Sequence, residues 1–175
     1  KVGLFGCVIL YFGPARMVAY GIGRIPEDRH AQGLIADLTL EENLISARYG
    51  EPPFSRRGLI DWKAARDFAN RIIADYDVRC PGPQAITRLL SGGNMQKLIL
   101  GREMAQGPRI ILANQPSRGL DIGAVSYVHR QLLAARQSGA GILLISEDLD
   151  ELLALADRVV VMYRGRVSAG LARGQ

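Results

Sequence analysis

The stretch RIILANQPSRGLD, residues 109 to 121, decides the fold. Ile110 to Ala113 is a short unbroken apolar run, the pattern of a strand buried in a parallel sheet. Asn114 and Gln115 close the run, and a turn carrying Gly119 and Asp121 follows. Downstream, Val125, Val128, Leu132 and Ala135 recur at helical spacing, and Gly139 stops the pattern as a C-terminal glycine does. A second apolar run spans Ile142 to Ile145, a helical pattern spans Asp148 to Ala156, and a third run spans Val159 to Tyr163. Arg164-Gly165 then turns into Arg166-Val167-Ser168, which reads as a small closing hairpin. Short apolar strands alternating with helices imply βαβ units and a parallel sheet covered on both faces. Ligands of such sheets bind beyond the carboxyl ends of the strands. Asn114, Gln115, Ser146 and Glu147 all stand at such ends.

Upstream lies RLLSGGNMQK, residues 88 to 97. Ser91 is a good N-cap, and Met95, Leu98 and Ile99 begin an amphipathic helix. Gly92 and Gly93 leave the backbone bare at the helix start, where free amides and the positive end of the dipole suit an anion. An ordinary capped helix with glycines for close packing has the same sequence, and the segment alone leaves both readings open.

Before it, Thr39 and Glu42 make a capping box that predicts a helix from Leu40, stopped by Pro52 and Pro53. Trp62, Ala65, Phe68, Ala69, Ile72, Ile73 and Tyr76 form one stripe at helical spacing and read as core. Pro81, Gly82 and Pro83 mark a loop.

The 175 residues suffice for one ordinary domain, and 48% hydrophobic with 22% charged residues is a globular composition. The formal charge of +5 fits a phosphate-bearing ligand, nucleic acid or an anionic surface. The basic residues are scattered, however, which argues against a nucleic-acid footprint. Cys7 and Cys80 make neither a disulfide framework nor a zinc site. Residues 2 to 12 are the longest apolar stretch, too short to span a bilayer, and read as a buried strand or two.

The order LSGGN, helix, RIILANQPSRGLD, then ILLISEDLDELLALADRVVVMYRGRV resembles the nucleotide-binding domain of ABC transporters. On that resemblance Leu90 to Asn94 matches the signature motif, with Asn94 where Gln is more usual. Ile110 to Gln115 matches the Walker B strand and the acid after it, and Gly119-Leu120-Asp121 matches the D-loop. Glu147 stands at the switch histidine, and Glu27, in GIGRIPEDRHAQGL, stands at the Q-loop glutamine. LTLEENL, residues 38 to 44, resembles the start of the helical subdomain. The Pro-Glu-Asp-Arg and Pro-Ser-Arg-Gly-Leu-Asp wording most resembles the second cassette of simple-sugar or nucleoside import ATPases.

The resemblance implies an α/β fold: a P-loop NTPase-like parallel sheet core, an inserted α-helical subdomain and a short antiparallel β portion. It implies one cassette over residues 1–175, divided into a strand and Q-loop region (1–37), a helical subdomain (38–107), and the Walker B, D-loop and switch region (108–175). ATP and Mg²⁺ are the implied cofactors. A second nucleotide-binding cassette, transmembrane permease subunits and, indirectly, an extracellular or periplasmic solute-binding protein are the implied partners. The implied place is the cytoplasmic side of the membrane, held peripherally, and no nucleic acid is implied.

Two departures bear on activity. No G-x-x-x-x-G-K-[ST] phosphate loop occurs in the 175 residues, and residues 1 to 12 resemble the strand pair just downstream of that loop, so the chain reads as a truncated cassette. Asn114 and Gln115 stand where the family has Asp and Glu. An amide brings no charge to a hard cation, and Gln115 cannot take a proton, an assistance worth about 10² to 10⁴ in rate. In the family each signature motif faces nucleotide held by the other cassette, so Ser91, Gly92 and Gly93 are expected to act on a partner's ATP. The alternatives are a regulatory nucleotide-binding module without hydrolysis and an ABC ATPase acting on nucleic acid; the absence of a coiled-coil insertion and of a basic cluster counts against the latter.

Overall fold

The computed structural model describes the backbone of Val2–Leu4, Cys7–Ile9 and residues 14–172, with side chains from residue 16 onward. In chain order, β1 (Val2–Leu4) and β2 (Cys7–Ile9) pair antiparallel. The remainder of the 2–12 stretch, and every side chain in it, lies outside the described residues. Next come α1 (Pro14–Ala19), β3 (Ile22–Ile25), a single π-type turn (Arg29–Gly33) and α2 (Leu40–Ile45). A hairpin of β4 (Ser55–Arg56) and β5 (Leu59–Ile60) leads to α3 (Trp62–Asp75). After a 3₁₀ turn (Thr87–Leu89) come α4 (Gly92–Met104), β6 (Ile110–Asn114), α5 (Ile122–Gln137), β7 (Gly141–Ile145) and α6 (Leu149–Leu155). The chain closes with β8 (Arg158–Val159), β9 (Met162–Tyr163), β10 (Arg166–Val167) and β11 (Leu171–Ala172).

The parallel sheet has the order β3-β6-β7. Ile22 to Ile25 register with Ile110 to Ala113, and Ile110 to Asn114 register with Gly141 to Ile145. The expected α/β class holds, with one change of membership. The third parallel strand comes from GIGRI in the first quarter of the chain, not from Val159–Tyr163. That run splits instead: β8 pairs antiparallel with β11, and β9 with β10. Arg164 at φ 46° and Gly165 at φ 75° make the tight left-handed turn that a two-residue hairpin requires, which takes the segment away from the sheet.

Coverage of the sheet also differs from expectation. Ile111 and Ala113 are buried, but β7 alternates, and Leu143 (55%) and Ile145 (49%) are exposed. Among the described residues β7 pairs only with β6. The layer of α4 and α5 buries one face, with Leu98, Ile99, Leu100, Val128 and Leu132 around Ile25 and Ile111.

Local signals explain most helix starts. The Thr39 hydroxyl accepts the Glu42 N–H, and the Glu42 carboxylate accepts the Thr39 N–H at 2.7 Å, completing the capping box. The helix ends at Ile45, well before Pro52, so turns rather than the prolines stop it. Gly139, at φ 97°, follows the end of α5 as its pattern predicts. In α3 the buried side is Ala65, Ala69 and Ile72; Trp62 is 43% exposed and Phe68 only partly buried. Trp62 opens the helix, and the stripe is covered only from Ala65 onward. The small alanines let α3 lie close to α4, where a Cβ on Gly101 would come within 2.5 Å of Ile72 Cγ2.

Asn43, fully buried, ties these pieces together. Its Oδ1 accepts the Ile35 N–H at 2.8 Å, and its Nδ2 donates to Ile35 O at 2.9 Å and Thr87 Oγ1 at 2.9 Å. Asn43→Ala strands at least two of these groups, at about 1–3 kcal/mol each. A melting temperature about 6–12 °C lower is expected, using about 2–4 °C per kcal/mol for a chain of this size and a loss of about 3 kcal/mol. A shift under about 2 °C would show that water takes the vacated bonds.

Candidate functional site

The start of α4 is held from both sides. Ser91 is extended (φ −66°, ψ 156°), and its hydroxyl oxygen accepts the Asn94 N–H (3.4 Å) and Nδ2–H (2.9 Å). Asn94 Oδ1 in turn accepts the Arg79 N–H at 2.9 Å. The amides of Gly92 and Gly93 lie in the first helical turn, where the helix itself offers no acceptor. Gly93 opens onto a pocket of about 400 Å³ lined also by Ser91, Asn94, Lys97, Asp121 and Arg130 among others, whereas Gly92 lies against the Arg29 guanidinium. Asp121 caps α5, accepting the Ala124 N–H at 2.9 Å. A Cβ on Gly93 would stand 4.0 Å from Asp121 Oδ2, so the predicted signature and D-loop residues meet here.

The pocket's charges are ordered. Lys97 Nζ donates to Asp77 Oδ2 (2.7 Å) and Asp77 O (2.8 Å) and stands 5.0 Å over the Tyr127 ring. This hydrogen bond and charge hold the Asp77 carboxyl below the usual carboxylate range. Burial pushes the Tyr127 hydroxyl up to about 12, so it stays protonated. The first turn of α4 at Gly93, with Arg79, Lys97 and Arg130 around it and Asp77 and Asp121 offsetting part of their charge, forms a surface chemically suited to one face of an anionic ligand.

A second group gathers at the carboxyl ends of β6 and β7. The Gln115 N–H donates to Ile145 O at 2.8 Å, and Gln115 Oε1 accepts the Glu147 N–H at 3.3 Å. Gln115 has φ 49°, a left-handed conformation uncommon for a residue with a side chain, and such residues concentrate at functional sites. Asn114 is half-buried beside them, in register with Ile145. The set does not fit Mg²⁺ well on its own. Asn114 and Gln115 are neutral, Gln115 is already engaged, and among the described residues no three His, Cys, Asp or Glu side chains converge as a metal site.

The two groups are joined through the backbone. Gln96, buried in α4, donates to Pro116 O at 2.8 Å and pins the helix to the turn after β6. From the other side comes the segment around Glu27. Glu27 forms an ion pair with Arg118, and Arg29 Nη1 donates to Arg118 O at 2.9 Å while its Nη2 donates to Gly119 O at 3.4 Å. Asp28 supports this segment by accepting the N–H groups of His30 and Ala31, both at 2.9 Å. Sequence reasoning singled out Glu27 but missed Arg29. The available signal was a charged Glu-Asp-Arg run placed just after a strand.

No protein-family model matches the chain. Curated relatives do. The guanosine import ATP-binding protein NupO of Bacillus subtilis is 39% identical over 170 residues, covering 97% of this chain and 33% of its own length. The nucleoside import ATP-binding protein NupA of Lactococcus lactis is 38% identical, covering 88% of this chain and 30% of its own length. The ribose import ATP-binding protein RbsA 2 of Streptomyces avermitilis is 39% identical over 93% of this chain and 32% of its own. A nucleotide-free ATP-binding cassette from an ABC transporter superposes with a TM-score of 0.71 at 25% identity, over 91% of this chain and 64% of its own. The chain belongs to the ABC-transporter nucleotide-binding domains.

A dimeric ABC cassette in a post-hydrolysis state, bound to ADP and phosphate, also superposes with a TM-score of 0.71; at 21% identity it shares the fold, over 91% of this chain and 66% of its own. The chain spans about a third of the length of the curated relatives it matches. No helix among the described residues is long and apolar enough to cross a membrane.

Proposed function

We propose that this chain is part of the ATP-binding subunit of an ABC importer for a simple sugar or nucleoside, and that it offers Ser91, Gly92 and Gly93 to ATP held chiefly by a partner cassette. One contrast carries the reading. The start of α4 at Ser91 and Gly93 opens onto a pocket lined by Arg79, Lys97 and Arg130 against Asp77 and Asp121, whereas the strand ends at Asn114 and Gln115 offer neither a charged metal ligand nor a proton acceptor. Ser91 and the two glycines would bind phosphate oxygens, and Asp121 would keep the start of α5 aligned beside them. Glu147, when ionised, accepts hydrogen bonds and cannot copy a histidine's donor role. Asn114 would contribute at most a weak contact to a water on Mg²⁺. Permease subunits at the membrane and a solute-binding protein beyond it complete the proposed assembly, with the chain on the cytoplasmic side.

A regulatory module that binds nucleotide without hydrolysing it is the second reading. It is favoured by Gln115 itself, whose side chain is occupied by the Glu147 N–H. The two readings agree on the isolated chain: steady-state turnover of Mg-ATP by the purified protein is expected well below 1 s⁻¹. Turnover at about 1 s⁻¹ or above, an ordinary enzymatic rate, would sink both. They part in the complete assembly, where the first expects ATP hydrolysis that depends on Ser91 and the second expects none.

A further inference from the structure

Arg29 stands where elementary electrostatics disfavours it. Its guanidinium lies against the first residue of α4: a Cβ on Gly92 would stand 3.2 Å from Nε and 3.3 Å from Nη2. A cation is unfavourable at the positive end of a helix dipole. Its Nε is also buried without a hydrogen-bond partner, which makes the placement less favourable still. What offsets this is the pair of bonds to the carbonyls of Arg118 and Gly119. Gly119, at φ 66°, would with a Cβ stand 3.4 Å from Nη2. One side chain thus fills the gap between two segments, one about sixty and one about ninety positions away, and each meets it with a glycine. A placement that breaks a local rule and is compensated elsewhere is the pattern of a functional constraint.

We infer that Arg29 is a positioning residue that locks the 118–121 turn to the N-terminus of α4, so that the signature segment and the turn carrying Asp121 move as one body. Its added positive charge also raises the attraction of the Gly92–Gly93 amides for an anion. The activity consequence rests on the function proposed above; the mechanical coupling does not.

Arg29→Lys keeps the charge and removes the planar fork that reaches two carbonyls at once. Hydrogen exchange on the whole chain is expected to rise about tenfold or more at the bonded amides of Asn94 and Met95 and of Arg118 and Leu120 together, the scale of losing a charge-assisted hydrogen bond, with α3 unchanged. A rise in only one segment, or in neither, overturns the inference. Gly92→Ala gives an independent check: its effect on exchange at Arg118 and Leu120 is expected to be large with Arg29 present and to shrink in the Arg29→Ala background. Additive effects overturn the coupling. In the complete ATPase, Arg29→Lys is expected to lower kcat about tenfold with little change in the KM for ATP, as loss of an interaction used in the transition state does. If the complete protein hydrolyses no ATP at all while the two segments still loosen together, the positioning role stands and the proposed function falls.

Discussion

Gly92→Asp is expected to lower ATP turnover of the assembled transporter by about 10²-fold or more, the largest catalytic effect expected of a single substitution in this chain. The helix itself tolerates the change. An acidic residue in the first turn of α4 complements the dipole by about 0.3–1 kcal/mol, so folding is not the reason for loss. On the proposed function, however, the carboxylate would bring a negative charge close to the helix start that is to receive phosphate. Two unit charges about 4 Å apart near a protein surface repel by about 4 kcal/mol, which is about a thousandfold in binding or rate. Arg29, 3.2 Å from the new Cβ, neutralises part of this and draws the effect toward the lower bound. That same attraction pulls Arg29 from the carbonyls of Arg118 and Gly119, adding a second defect. Ser91→Ala is the milder companion. It leaves both glycine amides bare, removes an N-cap worth about 1 kcal/mol of stability, and is expected to reduce turnover about tenfold. ATPase assays and thermal melts on both variants decide the matter. Unchanged turnover in both would reduce Leu90 to Asn94 to a helix cap.

What could be read from the sequence follows a physical division. Capping is local: Thr39 with Glu42 and Ser91 with Asn94 interact three residues apart, and both bonds appear where the residue types require them. The apolar runs at 110–113 and 142–145 are likewise dictated by burial and form adjacent parallel strands. The Gly-rich GIGRI gave no such signal, because alternate small and charged residues dilute the apolar pattern; its place beside β6 depends on a neighbour eighty-eight positions away in register. Val159–Tyr163 misled for the opposite reason. It is apolar enough for a core strand, yet the Arg164-Gly165 turn folds it into exposed antiparallel pairs. Arg29 was invisible as a site residue since its partners at 118 and 119 meet it only in the folded chain.

Exchange in the isolated chain is expected to differ by about a thousandfold across the parallel sheet, since local opening spans from nearly zero to the full stability. The hydrogen bonds set the phase of β7. Gly141 N–H donates to Arg109 O, and Ile145 O accepts from Gln115 N–H, so Gly141, Leu143 and Ile145 point their backbone groups at β6. Alternation along the strand then turns the N–H and C=O of Ile142 and Leu144 to the edge that has no partner strand among the described residues. That edge carries no charge, and Leu143 and Ile145 add exposed apolar surface on one face. Such an edge is a template for pairing with another strand. β6, bonded on both sides and covered by α4 and α5, is the protected extreme, as is the helical part around Leu98, Ile72 and Asn43. A monomer is therefore expected to exchange fast at Ile142 and Leu144 and slowly at Ile111 and Ala113. At higher concentration the edge amides are expected to gain protection as the chain self-associates. Leu143→Lys, placed on the exposed face, is expected to suppress that association while shifting the melting temperature by no more than a few degrees, as an exposed substitution should. Sedimentation and exchange measured on the same samples provide the test. A monomer whose Ile142 and Leu144 amides are as protected as Ala113 would show that the edge is closed from within the chain, and the expectation of an open sheet would be wrong.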